Sequence, residues 1–202
     1  VRQTQAQRTE ATTNALVASA REQFARDGYE ATSLNAVATA AGVSKGAVYH
    51  HFDNKPDLFA AVFAGEVTRA AAIVARAYRG DADPWAGFQA GCHAFLANCL
   101  DPAVQRIMLV EAYRALGWEH MRRLEHPLLS MMETGIEQAT VAGRIAPRPP
   151  RALTHLLFGA ICETAMEVAR APDPLAAHRD AVDELSNLLH GLTLRPHGGD
   201  RL

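Results

Sequence analysis

A chain of 202 residues with 49% apolar side chains can bury a core and is long enough for one domain or two small ones. A formal net charge of −2 means that any attraction to a polyanion must be local. No run of about 18 apolar residues marks a membrane span, the polar N-terminus lacks a signal-peptide core, and three cysteines without framework spacing fit a reducing compartment, so a cytoplasmic protein with no membrane partner is expected.

The first eight residues are polar. A helix is predicted from about Thr9 to Asp27, with Leu16, Val17, Ala20 and Phe24 as its inner stripe and Gly28 as its stop. Tyr29 then reads as a packed anchor. Leu34, Val37, Ala38 and Ala41 recur at helical spacing, and Thr32 or Ser33 can cap that short helix. Gly42 supplies the left-handed backbone that ends it. Ser44 caps a second helix from Lys45 to about Phe52, on which Val48 and Phe52 face inward while Lys45, Gly46, Tyr49 and His50 face out. No carboxylate lies between Ala31 and Phe52. A helix end with free amides, a lysine, a glycine for close approach and a tyrosine hydroxyl suits a phosphate backbone, and the pair of helices has the helix-turn-helix pattern. Ala47 can touch a thymine methyl but cannot hydrogen-bond a base, and His50 is a candidate for a base or phosphate contact. Thr32 and Ser33, at the head of the first helix of the pair, complete the candidate DNA set. Residues 1–55 carry six Lys/Arg against five acids and the remainder 14 against 17, so the charge asymmetry has the right sign but is small.

Asp53-Asn54 is a turn, and Lys55-Pro56 opens a long helix to about Tyr78. Gly80–Pro84 is the clearest punctuation of the middle of the chain. Beyond it the pattern is helical throughout, over 84–100, 102–116, 118–142 with a break expected at Pro127, 151–171 and 174–192. The last two helices have wide apolar faces that a monomer would expose, and they predict a two-fold interface. Residues 195–202 form a tail.

From about Arg8 to Phe63 the chain resembles the DNA-binding domain of the TetR (tetracycline-repressor-like) family of bacterial regulators. The matching residues include Phe24, Gly28, Tyr29, Ala31, Thr32, Ser33, Val37, Ala38, Ala41, Gly42, Val43, Ser44, Lys45, Gly46, Tyr49, His51, Phe52, Lys55, Leu58 and Phe59. The resemblance implies an all-α protein with an N-terminal three-helix domain over 1–54, containing the helix-turn-helix, and a C-terminal helical domain over 55–202 for effector binding and dimerisation. It further implies a homodimer, a palindromic double-stranded DNA operator and repression relieved by a small molecule. It assigns Lys55 a phosphate contact, against the alternative of a surface pair with Asp57. It lets Arg2 and Arg8 serve as a minor-groove arm, against simple solvation. His51 matches the family but also suits packing and hydrogen bonding.

No glycine-rich phosphate loop, G-x-S-x-G or H-E-x-x-H motif is present, no cofactor or metal is implied, and the protein is not expected to be an enzyme. Glu119, His120, Glu125 and His126 lack metal-ligand spacing and read as solvated surface. Trp85, Phe88, Cys92, Phe95, Met108, Glu111, Trp118 and Met121, with Cys162, are the candidate ligand set, an aromatic and methionine-rich wall whose one carboxylate suits an apolar or cationic effector. Packed core is the competing reading of that stripe. His93 and Glu111 are the polar members whose burial would require a partner. Rival functions are a dimeric interaction module without specific DNA binding, a thiol redox sensor built on Cys92, Cys99 and Cys162, and an enzyme using Glu111, His93 and Cys92.

Overall fold

The computed structural model describes residues 4–193, so the expectations for Arg2 and for the 195–202 tail lie outside the described residues. Eleven α-helices and one π-helical segment make up the secondary structure among those residues, with a lone bridge between Ile145 and Thr193. The helices are α1 (Gln5–Asp27), α2 (Leu34–Ala40), α3 (Lys45–His51), α4 (Lys55–Tyr78), α5 (Pro84–Asn98), α6 (Pro102–Val104), α7 (Ala112–Leu116), α8 (Trp118–Leu124), α9 (His126–Val141), α10 (Pro150–Arg170) and α11 (Pro174–His190). The π segment, Gln105–Glu111, joins α6 to α7. The chain divides into two compact units, one of residues up to Arg69 together with Cys99–His126, the other of Ala70–Asn98 and the residues from Pro127 onward.

Local chemistry explains where the helices begin. α1 starts four residues before the expected Thr9, because Thr4 and Gln7 form a reciprocal capping box: the Gln7 amide donates to Thr4 Oγ1 and the Thr4 amide to Gln7 Oε1. Ser33 and Ser44 cap α2 and α3 by accepting from the amides of Ala36 (3.1 Å) and Ala47 (3.2 Å). Asn54 caps α4, its side-chain oxygen accepting from the Asp57 amide at 2.9 Å. Three further helices open on an Asp-Pro pair. Asp83, Asp101 and Asp173 accept from amides two or three residues on, at 2.7 to 3.2 Å, and the prolines take first-turn positions where no amide is needed. The amides of Ala86 and Trp85 and the Arg144 guanidinium hold the Asp83 carboxyl below its ordinary range. The break expected at Pro127 falls just ahead of it: α8 ends at Leu124, and Pro127 is the second residue of α9.

In the first unit Leu16, Ala20 and Phe24 of α1 pack with Val37 and Ala38 of α2, Val48 of α3 and Leu58, Phe59, Val62 and Phe63 of α4, all of them buried. Phe24, Tyr29 and Phe59 form an aromatic cluster with centroids 5.0 to 5.9 Å apart. Ile107 and Met108 of the π segment are also buried, and the segment contacts α1. Glu66 is buried at 1% exposure, and its carboxylate accepts from Arg21 Nε and Arg69 Nη2, each at 2.5 Å. Contrary to the surface reading, Glu125 is buried too. It accepts from Arg122 Nη1 at 3.0 Å, and burial raises its pKa against the opposing pull of that arginine.

In the second unit α10 packs on α11 and α5 packs on both. Trp85, Phe88, Cys92, Phe95 and Leu96 of α5 meet Leu157, Phe158 and Ile161 of α10 in the core. Leu156 of α10 is 71% exposed, and Leu188 of α11 is 52% exposed. Although no fully apolar run marks a span in the sequence, α4 and α10 are each long and apolar enough to cross a bilayer by length and composition. α4 nevertheless carries the buried Glu66 ion pairs, and α10 is packed on α5 and α11.

Removing Arg21 leaves a buried carboxylate with one of its two charged donors. Arg21→Ala is expected to lower the unfolding free energy by about 1.5–3 kcal/mol, measured as a drop in the urea midpoint at unchanged slope. Substituting an exposed arginine such as Arg76 should move the midpoint far less.

Candidate functional site

α2, the turn and α3 form a compact pair. The α2 terminus closes with the Val43 amide on the Ala38 carbonyl (3.0 Å) and the Gly42 amide on the Thr39 carbonyl (3.1 Å). Gly42 sits at φ +68°, which glycine adopts without the strain a side chain would bring. Val48 and Phe52 are buried, and this fixes the rotation of α3 so that Lys45, Gly46, Tyr49 and His50 are exposed, with Ala47 at the margin. The exposed face therefore carries an ammonium, a hydroxyl, an imidazole and a closely approachable backbone, with no acid of its own.

The other sequence candidates divide. Ser33 lies at the surface, with its hydroxyl accepting the cap bond. Thr32 is buried, and its hydroxyl donates to the Gly28 carbonyl at 2.8 Å, which takes it off the exposed face. Lys55 does not pair with Asp57. Its Nζ donates to the carbonyls of Tyr29 (2.9 Å) and Glu30 (3.3 Å) and lies 4.3 Å from the centroid of the Tyr29 ring. His51 Nδ1 is hydrogen-bonded to the Thr13 hydroxyl at 3.1 Å, which ties α3 to α1.

The turn that feeds α2 is held from several sides. Glu111 at the end of the π segment accepts from the Tyr29 amide at 3.4 Å, and Arg114 pairs with Glu30 at 2.8 Å. Gly28 is at φ +85°, and a Cβ there would meet Glu111 Oε1 at 2.9 Å and Arg106 Nη1 at 3.0 Å, so the glycine is what lets these groups approach. Glu111 thus has a partner, but at the Tyr29 turn and not in a ligand wall.

A cavity of about 300 Å³ opens in the second unit. Phe88, Cys92 and Phe95 of the predicted ligand set line it. Met108, Glu111, Trp118 and Met121 belong to the first unit, and Cys162 of α10 does not line the cavity. The sequence reading missed most of the wall: Val74, Tyr78 and Arg79 of α4, Leu128, Met131 and Met132 of α9, and Phe158 and Ile161 of α10. Tyr78 Oη donates to Gln138 Oε1 at the margin of the cavity, and Ser130 and Thr134 add hydroxyl-bearing residues to its lining. Gly135 provides the room, since a Cβ there would fall 2.9 Å from Phe88 Cδ2.

The groups on which rival chemistry would depend are differently placed. Burial pushes the Cys92 and Cys99 thiols up to about 12, far from the thiolate that a redox sensor uses. His93 Nε2 lies 3.0 Å from Ser186 Oγ, whose own proton goes to the Val182 carbonyl. The imidazole is left as the donor. Burial, and then the neighbouring His178, lowers the His93 pKa.

A capped two-helix reader with an outward basic and aromatic face is a DNA-recognition module of the helix-turn-helix class. Comparison with known proteins places it more closely. Residues 16–62 match the domain described as bacterial regulatory proteins, tetR family, and residues 85–192 match the tetracyclin repressor-like C-terminal domain. The structure superposes on a TetR-family transcriptional regulator from Pectobacterium atrosepticum with a TM-score of 0.82 and 32% identity, covering 96% of this chain and 100% of that one. The TetC protein of transposon Tn10 from Escherichia coli is 29% identical over 114 residues, which is 56% of this chain and 57% of TetC. The probable acrEF/envCD operon repressor of Escherichia coli K12 is 50% identical over 44 residues, 22% of this chain and 20% of that protein. The chain belongs to the TetR family of bacterial transcriptional regulators, and its all-α fold, with an N-terminal helix-turn-helix and a helical C-terminal domain, is the family's.

Two solution measurements follow from these environments. At pH 8, Cys92 and Cys99 should resist a thiol-specific reagent in the native protein, so at most one equivalent reacts before unfolding and three react after it. Because the fold prefers neutral His93, the unfolded chain binds the extra proton first as pH drops below the ordinary 6.5. Thermal stability should therefore fall on acidification from pH 7 to 5, and His93→Gln should flatten that dependence.

Proposed function

We propose that the protein is a homodimeric repressor acting in the cytoplasm, which inserts α3 of each subunit into successive major grooves of a palindromic operator and lets go when a small molecule fills the second-unit cavity. The observation that carries this reading is the outward face of α3, fixed by the burial of Val48 and Phe52 and free of acidic residues. Ser44 and the first amides of α3 face a phosphate, and Lys45 adds charge. Gly46 allows close backbone approach, Ala47 packs against a thymine methyl, Tyr49 donates its hydroxyl to phosphate and His50 reaches a base edge or phosphate. Ser33 borders the same groove. Lys55 serves as the tether of the Tyr29 turn, and Thr32 as an internal brace, in place of the contacts expected from the sequence.

The reading-head function is assigned to residues up to 54, and effector binding and dimerisation to 55 onward. α10 and α11 form the two-fold interface, a role supported by exposed Leu156, Leu175 and Leu188 on those helices. Half-sites lie about 34–36 Å or a multiple apart. Regulation is a population shift: the effector lowers operator affinity by its preference for the form with wrongly spaced reading helices, and by no more. The buried thiols speak against a redox trigger, and the protein acts by binding, without turnover.

The Lys45→Ala/Tyr49→Ala variant tests this by fluorescence anisotropy on DNA from the adjoining promoter. Operator affinity should fall by about 100-fold or more, and the plot of log affinity against log salt should become shallower by about 2, for one lysine in each of two subunits. Sedimentation and circular dichroism should show an intact helical dimer. Wild-type retention in that variant would sink the assignment.

A further inference from the structure

We infer that the cavity selects an apolar monoanion, a molecule with a hydrophobic body and a single carboxylate-like end that pairs with Arg79; this rests on reading the cavity as the effector site. The sequence suggested the opposite sign, because Glu111 stood in the same aromatic and methionine-rich stripe. That carboxylate is engaged at Tyr29, and among the residues lining the cavity only Arg79 carries a charge. Arg79 takes part in none of the ion pairs formed among the described residues, which leaves its guanidinium available to a ligand.

The wall is graded from one end to the other. Arg79 closes the C-terminal end of α4 beside Tyr78, and Tyr78 is hydrogen-bonded to Gln138, so cation, hydroxyl and amide gather together. Along α9 the lining runs from Gln138 through Gly135, which faces Phe88, to Leu128, about 15 Å at 1.5 Å per residue. Along α5 it runs from Phe88 through Cys92 to Phe95, whose ring lies 6.1 Å from that of Phe158. One end therefore offers the positive charge together with the Tyr78 and Gln138 polar groups, and the other is mainly hydrocarbon, aromatic rings and sulfur, with Ser130 as its hydroxyl.

A cation would meet an uncompensated guanidinium here, and a neutral oxygen could accept a hydrogen bond from it but not pair with its charge. A monoanion turns the one charge into a charge-assisted hydrogen bond while its body displaces water from the apolar end. The volume sets the scale. At about 30 Å³ per water-sized group, 300 Å³ accommodates about ten such groups. That suits a medium-length acyl chain or a fused aromatic ring system, with Met131 and Met132 adapting to either.

Trp85 provides the readout, since its ring stacks on cavity-lining Phe88 at 5.0 Å and 7°. In a Trp118→Phe background, Trp85 is the sole tryptophan, and its emission can be titrated with decanoate, decan-1-ol, decyltrimethylammonium, 2-naphthoate and 2-naphthol. At least one carboxylate should bind saturably and about tenfold more tightly than its neutral partner. Arg79→Gln should remove that advantage while leaving the alcohol's affinity within about twofold. The tighter of decanoate and 2-naphthoate tells an aliphatic body from an aromatic one. Equal binding of acid and alcohol, or preference for the ammonium compound, would overturn the charge selection and leave the effector cavity standing. Absence of saturable binding by all five would overturn the cavity as effector site, and the inference with it.

Discussion

The presentation of α3 depends on how firmly the Gly28–Glu30 turn is held, because that turn sets where α2 begins and α2 sets α3. Its backbone groups are met one by one: Gly28 O by the Thr32 hydroxyl, the Tyr29 amide by Glu111, and the Tyr29 and Glu30 carbonyls by Lys55. The Tyr29 ring is fixed between Phe24 and Phe59. Buried polar backbone left without partners would cost about as much as a hydrogen bond each, so the turn is held by satisfaction as much as by packing. Charged side chains far apart in sequence do this work. The turn ahead of the reading helices is thereby joined to the π segment through the Glu111 carboxylate as well as through packing.

How far the sequence could be read depended on the range of the interactions. Caps, helical stripes and the Gly42 turn act within four or five residues, so Ser33, Ser44, Val48 and Phe52 announced the helix-turn-helix and its outward face. The same locality could have revealed the capping box of Thr4 and Gln7, which puts the start of α1 ahead of Thr9. The cavity was legible only on α5, where Phe88, Cys92 and Phe95 repeat at helical spacing. Its other walls come from Tyr78, Met131 and Phe158, which lie far apart along the chain and carry no local sign of their convergence. Met108, Glu111, Trp118 and Met121 looked like the same wall because they share its composition, and composition does not distinguish two units of one chain. The partners of Lys55 were hidden for a related reason: a lysine at the head of a helix looks free until the carbonyls of a distant turn are placed beneath it.

The second unit combines two demands that pull against each other. A cavity needs missing volume, whereas a core needs density. Gly135 and Gly91 lie where Cβ atoms would press on Phe88 and Val74, so small residues on the helices yield space to larger side chains. Burial of the Cys92 thiol and the His93–Ser186 bond keep the surrounding α5 closely packed. The cavity is bounded by side chains held elsewhere, which is how an opening can persist within a packed helical unit.

Between α6 and α7, over Gln105–Glu111, the backbone hydrogen bonds span one residue more than in an α-helix. Deleting a single residue there would let the hydrogen bonds relax to α spacing and change the directions in which the side chains along the segment point. Glu111 would then turn away from the Tyr29 amide, and a chain one residue shorter at this point would keep its helix while losing its grip on the reading head.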